Sequence, residues 1–291
     1  MMDYTLREWV GLARLHGSIA NAAVEVQAQE TGMTAAQVRA TMHHHLKCMQ
    51  ESVQNGLDER LRSVTGLTGG QAARLLTRLK SGKSLCGTLL GKAETYALAT
   101  AECNACMGKI VAAPTAGACG ILPGAILAMM EERGVTDDEA VNAMFVAAAV
   151  GQSIATQASI SGAEGGCQAE CGAAAAMAAA ALTYLEGGTP QQCADAAAFA
   201  LMNLLGLVCD PVGGLVEVPC VYRNVGSSGV AFTAADMAIS GICCPIDPDE
   251  VILAMKEVGD ALPSSLRETG EGGCAACESI RVRLTMIQQK E

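Results

Sequence analysis

The sequence predicts an all-α protein whose helices are joined by irregular loops rich in Gly and Pro. Hydrophobic residues make up 51% of the 291 residues but aromatic residues only 3%, which indicates a core of closely approaching backbones lined by Ala and Gly. Apolar residues recur at helical spacing along most of the chain, without an alternating βαβ pattern or an internal repeat. We therefore predict one predominantly helical domain over residues 1–291, in which residues 1–65 could form an N-terminal helical lobe.

Each helix is predicted from its apolar spacing and from the residues at its ends. The first two segments have the pattern of surface helices, and Thr34 and Gly56 are suited to cap the second of them. Residues 207–229 break the pattern with Pro, Gly and β-branched residues and are predicted as a loop or short hairpin. The predicted helices cover residues 4–29, 34–56, 71–80, 92–107, 123–133, 137 to about 159, 173–181, 190–206, 233–241 and 248–261.

Charge and hydropathy exclude several classes of function. The net charge of -11 and the pI near 4.9 argue against a surface that binds nucleic acid, which needs clustered Lys and Arg. The N-terminus lacks the apolar run of about 7–15 residues that is typical of a signal peptide. The longest nearly uncharged stretch, residues 141–161, contains Asn, Gln, Ser and Thr and predicts a buried helix rather than a membrane span. We expect a cytoplasmic protein that binds neither nucleic acid nor membrane.

The chain has 14 cysteines, which in a reducing compartment serve as core residues, metal ligands or redox centres. Two C-x-x-C pairs, Cys103 with Cys106 and Cys274 with Cys277, could together form a four-thiolate zinc site. They lie far apart in sequence, and the first pair falls in a predicted helix where two small thiols would simply pack. Packing is therefore the preferred interpretation of these pairs.

Three other cysteines lie at irregular points of the backbone. Cys167 follows "GAEGG", Cys209 precedes "DPVGG" and Cys220 follows "VEVP". Thiolates on rigid turns with free backbone N–H groups are the ligands that iron–sulfur clusters require. Burial in the core is the competing explanation for each of them alone, but it explains the three together less well.

Several long motifs occur in an order that is similar to a known family. "APTAGACGILPGAI", "ASISGAEGGCQAE", "LGLVCDPVGGLVEVPCVYRN" and "LRETGEGG", with "GLTGG" and "SGKSL" upstream, closely resemble the signature stretches of the iron–sulfur-dependent L-serine dehydratases. The resemblance is to the α subunit of the two-subunit type and covers nearly the whole chain. It implies a helical catalytic domain around a buried [4Fe–4S] cluster.

The resemblance also implies a ligand set and a reaction. The family's cluster cysteines correspond to Cys167, Cys209 and Cys220, which leave one iron without a thiolate. That iron would act as a Lewis acid in the β-elimination of water from L-serine, and the product would become pyruvate and ammonia.

A general base is not apparent in this chain. The four histidines are His16 and the run of residues 43–45, all in the predicted N-terminal helices, where a solvated face is the simpler interpretation. The family's Ser-Ser-His-Thr motif is absent, so the resemblance implies a separate β subunit that carries the base.

Polar residues near the motifs are candidates for binding an amino-acid substrate through its carboxylate or ammonium group, although capping and turn hydrogen bonds explain each of them equally well. Glu164 and Glu170 are similarly ambiguous. The candidates are Lys109, Thr115, Ser159, Ser161, Arg223 and Asn224.

The sequence departs from the family pattern at two places, and two other functions stay open. Gln157 stands where relatives commonly have Asn, and Cys277 in a divergent tail could approach the open iron. A related iron–sulfur lyase could act on L-cysteine or L-threonine instead of L-serine. A zinc- or thiol-rich structural protein without catalytic activity is the third hypothesis.

Overall fold

The computed structural model describes residues 3–288, so the ends of the predicted 1–291 domain lie outside the described residues. The prediction of an all-α fold is confirmed: within residues 3–288 there is no β-strand, only one isolated bridge between Cys209 and Arg267. None of the helices in this part of the chain is both long and apolar enough to cross a membrane. The described helices are α1 (Leu6–His16), α2 (Ile19–Thr31), α3 (Ala35–Gly56), α4 (Gln71–Lys80), α5 (Gly87–Ala105), α6 (Ile121–Arg133), α7 (Asp137–Gln157), the single turn α8 (Gly162–Gly165), α9 (Ala173–Leu185), α10 (Pro190–Leu204), α11 (Cys220–Ile239), α12 (Pro248–Ala261) and α13 (Glu278–Gln288).

The first segment, predicted as one surface helix over residues 4–29, forms two helices with buried faces. Gly17 ends α1 in the left-handed conformation (φ 83°), and the Ser18 side chain caps α2 by accepting from the backbone N–H of Asn21. Trp9 and Ile19 are buried, and α2 packs along α7. The prediction is wrong because a left-handed glycine interrupts the helix and because tertiary packing covers its apolar side.

Helix α5 lies at the centre of the molecule and contacts α3, α4, α6 and α11. Small residues allow these helices to approach closely. A methyl group at Gly56 of α3 would overlap the backbone carbonyl of Ala99, and one at Gly124 of α6 would lie 2.6 Å from the carbonyl oxygen of Ala93. The core therefore is built from closely approaching backbones, as the composition predicts.

The alanine-rich helix α9 is also buried in the core. Residues 173–182 are all buried, and α9 packs against α7, α10 and α11. A π-helical turn, Gln168–Gly172, precedes it directly. Such turns are rare and occur often at functional sites, and this one follows Cys167 directly and contains Glu170 and Cys171.

The segment 207–229 differs from the predicted loop or hairpin. Residues 207–219 are irregular, but α11 begins at Cys220 and continues without a break through the helix predicted separately over 233–241. Its low-propensity Gly and Ser residues are tolerated because α11 packs against α5, α9 and α10. Within it, the hydroxyl of Ser228 donates to the backbone oxygen of Asn224 at 2.9 Å.

Candidate active site

Two helix starts and one bridge bring the candidate cluster ligands together. Cys167 directly precedes the π-helical turn, and Cys220 is the first residue of α11. Cys209 lies in the irregular segment before α11, where its backbone pairs with Arg267. The "LRETGEGG" motif is thereby held against Cys209, because the N–H of Glu268 donates to the Cys209 carbonyl at 2.7 Å.

The three thiols are buried and close enough to influence one another. Their exposed fractions are 3% for Cys167, 4% for Cys209 and 8% for Cys220. Burial raises the pKa of Cys220 to about 12, and the thiols of Cys167 and the carboxylate of Glu170 add to the increase. Burial, Glu170 and Cys167 likewise raise the pKa of Cys209. All three cysteines are without disulfide partners.

A fourth thiol, Cys171, lies against Cys167. The two sulfur atoms are 3.3 Å apart, and Cys171 is fully buried. The hydrogen bond between the two thiols lowers the pKa of Cys167; burial opposes this shift, and the charge of Arg223 adds to it. The same hydrogen bond and burial raise the pKa of Cys171. Cys171 thus belongs to the site.

Glu170 places a carboxyl group among these thiols. Its Oε1 accepts a hydrogen bond from the Thr115 hydroxyl at 2.7 Å, and its Oε2 lies 3.8 Å from the sulfur of Cys209. Burial raises the pKa of Glu170, and the Thr115 hydroxyl partly offsets that effect. Among the described residues no Lys, Arg or His forms an ion pair with Glu170. This carboxyl therefore has fewer partners than a buried charge requires.

Two glycines border Glu170. A methyl group at Gly162 would lie 2.6 Å from Oε2 of Glu170 and 2.9 Å from the sulfur of Cys209, and one at Gly117 would lie 2.8 Å from Oε1. Each glycine comes from a signature motif, Gly162 from "ASISGAEGG" and Gly117 from "APTAGACG". The glycines of these motifs therefore let the carboxyl and the thiol approach the backbone closely, and any side chain at either position would collide with them.

Arg223 is placed beside the thiols but is already paired. Its Nη2 lies 2.7 Å from Oδ1 of the buried Asp210, and its Nη1 donates to the carbonyl oxygen of Val208 at 2.7 Å. Burial opposes its charge, while Cys167 and Asp210 raise its pKa above the usual value. Arg223 thus fastens the segment on either side of Cys209 to α11.

Asn224 connects the "PTAG" segment to α11. Its side-chain nitrogen donates to the carbonyl oxygens of Gly117 and Cys220 at 2.8 and 2.9 Å, and its oxygen accepts from the N–H of Gly120 at 2.8 Å. The side chain is 1% exposed. Its amide is therefore fully engaged with the backbone on both sides of the site.

The other predicted substrate-binding residues lie in different surroundings. Lys109 is exposed, and its carbonyl oxygen lies 3.8 Å from the sulfur of Cys103. The Ser159 hydroxyl donates to the exposed Glu164 at 2.6 Å and accepts from the N–H of Ser161 at 3.0 Å. The structure thus places Thr115 and Arg223 near the thiols. It also separates the two glutamates, because Glu170 lies inside the site and Glu164 lies on the surface.

A single-ion metal site is not found in residues 3–288, where no three His, Cys, Asp or Glu side chains converge on one point. The two C-x-x-C pairs lie in different surroundings, since Cys103 is buried on α5 while Cys274 and Cys277 are exposed. A cluster differs from a single ion because its thiolates bind separate irons and need not meet at one point. The fold and site define a class of all-helical protein with a thiol- and carboxylate-lined site beneath glycine-rich loops.

Comparison with known proteins identifies the family. Residues 15–275 match the family model "Serine dehydratase alpha chain". The chain is 49% identical over 263 residues to the probable L-serine dehydratase alpha chain of Bacillus subtilis (strain 168), covering 90% of this chain and 87% of the relative. It is 40% identical over 276 residues to the L-serine dehydratase alpha chain of Peptoniphilus asaccharolyticus, covering 94% of each. This chain belongs to the serine dehydratase alpha chain family.

A longer relative shows the same similarity in one part of its chain. The L-serine dehydratase TdcG of Escherichia coli (strain K12) is 45% identical over 182 residues, which cover 62% of this chain but 40% of the relative. More than half of that protein therefore lies outside the match.

Proposed function

We propose that this chain is the catalytic α subunit of an L-serine dehydratase, which converts L-serine to pyruvate and ammonia. Family membership and the names of the relatives support the activity. The observation that carries the proposal is the gathering of three buried, unpaired thiols around the carboxyl group of Glu170. The names of the relatives favour serine over cysteine or threonine as the substrate, and they give no support to a purely structural role.

Cys167, Cys209 and Cys220 would hold a [4Fe–4S] cluster. The donor set fits this group, because the three thiols come from irregular backbone or helix starts and Gly162 lets the backbone approach the Cys209 sulfur closely. A cluster with three protein ligands supplies one open iron, a Lewis acid that withdraws charge from a departing hydroxyl group. The enzyme would thus be of the [4Fe–4S]-dependent ammonia-lyase type.

Glu170 is the residue of this chain that best fits the substrate's ammonium group. It lies within the site, accepts a hydrogen bond from Thr115, and lacks a cationic partner among the described residues. An arriving ammonium group would stabilise its charged form by ion pairing, which removes the cost of an unpaired buried carboxylate. Thr115 then holds the carboxylate in position.

Arg223 and Asn224 act as positioning residues in this proposal. Arg223 fixes the loop that presents Cys209, through Asp210 and the Val208 carbonyl. Asn224 fixes the first turn of α11 against the "PTAG" segment. Both would keep the thiols at constant separation, which a rigid cofactor site requires.

The base that removes the Cα proton would come from a partner. All four histidines of this chain lie on α1 and α3, where His43 contacts Asp138 at 3.0 Å. The relatives are named alpha chains, which supports a β subunit that completes the active site. Cytoplasmic localisation remains our prediction.

The proposal is tested by co-expressing the chain with its partner and purifying the complex without oxygen. We expect a brown protein that contains iron and sulfide and that forms pyruvate from L-serine. Separate substitution of Cys167, Cys209 and Cys220 by Ala should remove the iron, because each loss leaves a two-thiolate site. An iron-free complex without pyruvate formation would show that the proposed function is wrong.

Cys103→Ala is the matched control, since Cys103 is also a buried thiol near a helix end but contacts only the Lys109 carbonyl. This variant should keep its iron and its activity. Loss of iron in Cys103→Ala, together with a full cluster in Cys167→Ala, would contradict the ligand assignment. If the complex formed pyruvate from L-cysteine but not from L-serine, the proposed substrate would be wrong and the proposed site would stand.

A further inference from the structure

Two thiols, those of Cys167 and Cys171, lie next to each other just before α9. We propose that Cys167 and Cys171 form a reversible disulfide when the cluster has been lost, so that this turn is a thiol-oxidation site. The role of Cys167 as a cluster ligand rests on the proposed function. The bond between the two sulfurs does not, because it depends only on the geometry of this chain.

The sulfur atoms are already in contact. They lie 3.3 Å apart inside the protein, with Cys167 3% and Cys171 0% exposed. A disulfide bond is about 2.05 Å long, so the two atoms need to approach by little more than about 1 Å. Two other buried thiols face backbone carbonyls instead, Cys103 that of Lys109 and Cys119 that of Thr100.

The backbone at this point departs from a regular α-helix. Gly166 has a φ of 74°, Cys167 follows it, and residues 168–172 form the π-helical turn. In a regular helix the Cβ atoms of residues i and i+4 are about 5–6 Å apart, whereas a disulfide needs roughly 3.5–4.5 Å. A regular helix would therefore keep the two side chains apart, whereas at this irregular turn the sulfurs are in contact. Thiol–disulfide exchange with a reductant opens such a bond again, which makes the oxidation reversible.

The chemistry balances with a hydroperoxide as the oxidant. The sulfur of Cys167 attacks one peroxide oxygen, the O–O bond breaks, and the products are a sulfenic acid on Cys167 and one water molecule. The sulfur of Cys171 then attacks the sulfenic sulfur, the S–S bond forms, and the hydroxyl leaves as a second water after taking the thiol proton. Two thiols lose two electrons in total, and one H₂O₂ is reduced to two H₂O.

The bond has two consequences for the protein. It removes one of three cluster ligands, so the cluster cannot be rebuilt until a thiol reductant restores Cys167. It also stops Cys167 at the disulfide stage, because a sulfenic acid without a neighbouring thiol is oxidised further to the irreversible sulfinic and sulfonic acids. Cys171 would therefore protect the ligand during exposure to peroxide.

The experiment uses the full-length chain after removal of iron with a chelator and full reduction. The chain is treated with H₂O₂, its free thiols are blocked with N-ethylmaleimide, and it is digested with a protease that cleaves after Glu. Cleavage after Glu164, Glu170 and Glu186 separates the two cysteines into peptides 165–170 and 171–186. Mass spectrometry should find these peptides joined by a disulfide, and dithiothreitol should release them.

Cluster reconstitution gives the second measurement. The oxidised chain should take up less than roughly one tenth of the iron bound by the reduced chain, because the thiolate is the ligand form, and dithiothreitol should restore the uptake. In Cys171→Ala, peroxide should convert Cys167 to the sulfinic or sulfonic acid, and dithiothreitol should then restore nothing. Cys193→Ala is the matched control, since Cys193 is an equally buried thiol on α10.

The outcomes separate the two proposals. If peroxide leaves Cys167 labelled by N-ethylmaleimide, or joins it to a cysteine other than Cys171, the disulfide proposal is wrong. The peptide analysis of the unsubstituted chain decides this even if Cys171→Ala does not fold. If the reduced chain binds no iron while the linked peptides appear, the disulfide stands and the proposed cofactor fails.

Discussion

Glu102 is fully buried and Glu170 is half-buried, and the surroundings of the two carboxyl groups are opposite. The carboxylate of Glu102 is fully buried and accepts hydrogen bonds from the Thr68 hydroxyl and from the backbone N–H groups of Gly69, Gln71 and Ala72 at 2.9–3.1 Å. It lies at the N-terminus of α4, where a negative charge is favoured. Glu170 has one hydroxyl donor and a thiol at 3.8 Å.

The difference shows how the same side chain serves structure in one region and chemistry in another. A carboxylate whose oxygens are saturated by backbone donors has no capacity left for a ligand, so Glu102 fixes the "GLTGG" turn. A carboxyl with few donors, held against the backbone of Gly117 and Gly162, retains capacity for a cation. The substitutions below test this contrast in order of expected effect.

The largest effect on stability is expected from Glu102→Gln. The amide nitrogen cannot accept hydrogen bonds, so backbone N–H groups at the start of α4 lose their acceptor inside the protein. Hydrogen bonds to a charged group contribute about 1.5–3 kcal/mol, and we expect a loss of about 3 kcal/mol, measured by urea unfolding of the isolated chain. An unchanged midpoint would show that the "GLTGG" turn does not depend on this carboxylate.

Glu170→Gln should change substrate binding more than stability. Removing the charge while keeping the shape should raise KM for L-serine roughly 10- to 100-fold, equivalent to about 1.5–3 kcal/mol. Iron content should remain that of the unsubstituted complex, because Glu170 is not a proposed cluster ligand. Unchanged KM with full iron content would exclude Glu170 from ammonium binding, whereas loss of iron would indicate a role in holding the cluster.

The smallest effect is expected for Asp247, a half-buried carboxylate that pairs with the exposed Arg7 between α12 and α1. The hydrogen bond from Arg7 lowers the pKa of Asp247, so this pair stabilises the folded state above the unfolded pKa of about 3.9 and loses its effect as the pH falls through the lowered value. Arg7→Ala should lower the free energy of unfolding only slightly at pH 7, because solvent screens this pair.

A pH series of urea unfolding checks this sign. The difference between Arg7→Ala and the unsubstituted chain should shrink steadily below about pH 4. A difference that grows in acid would contradict the assigned ion pair. The Arg7–Asp247 pair is therefore expected to have a smaller effect than Glu102 or Glu170.

Sequence patterns predicted most helices of this fold because apolar spacing and caps are local properties. Thr34 does cap α3, and its side chain accepts from the N–H of Gln37. The patterns were insufficient at several places, and α13 (Glu278–Gln288) was not predicted. The break at Gly17 depends on one residue's φ angle, and α11 is helical through Gly and Ser residues because neighbouring helices cover it.

The sequence by itself determined the all-α class, the small-residue core and the family, since composition, periodicity and long ordered motifs are properties of the chain alone. Only the tertiary structure decided which polar residues meet. Glu164 and Glu170 are alike in sequence, yet one faces solvent and the other lies among the thiols. Cys171 reaches Cys167 across one π-helical turn. Such contacts depend on the direction in which each backbone turn points its side chain, and residue spacing does not specify that direction at irregular turns.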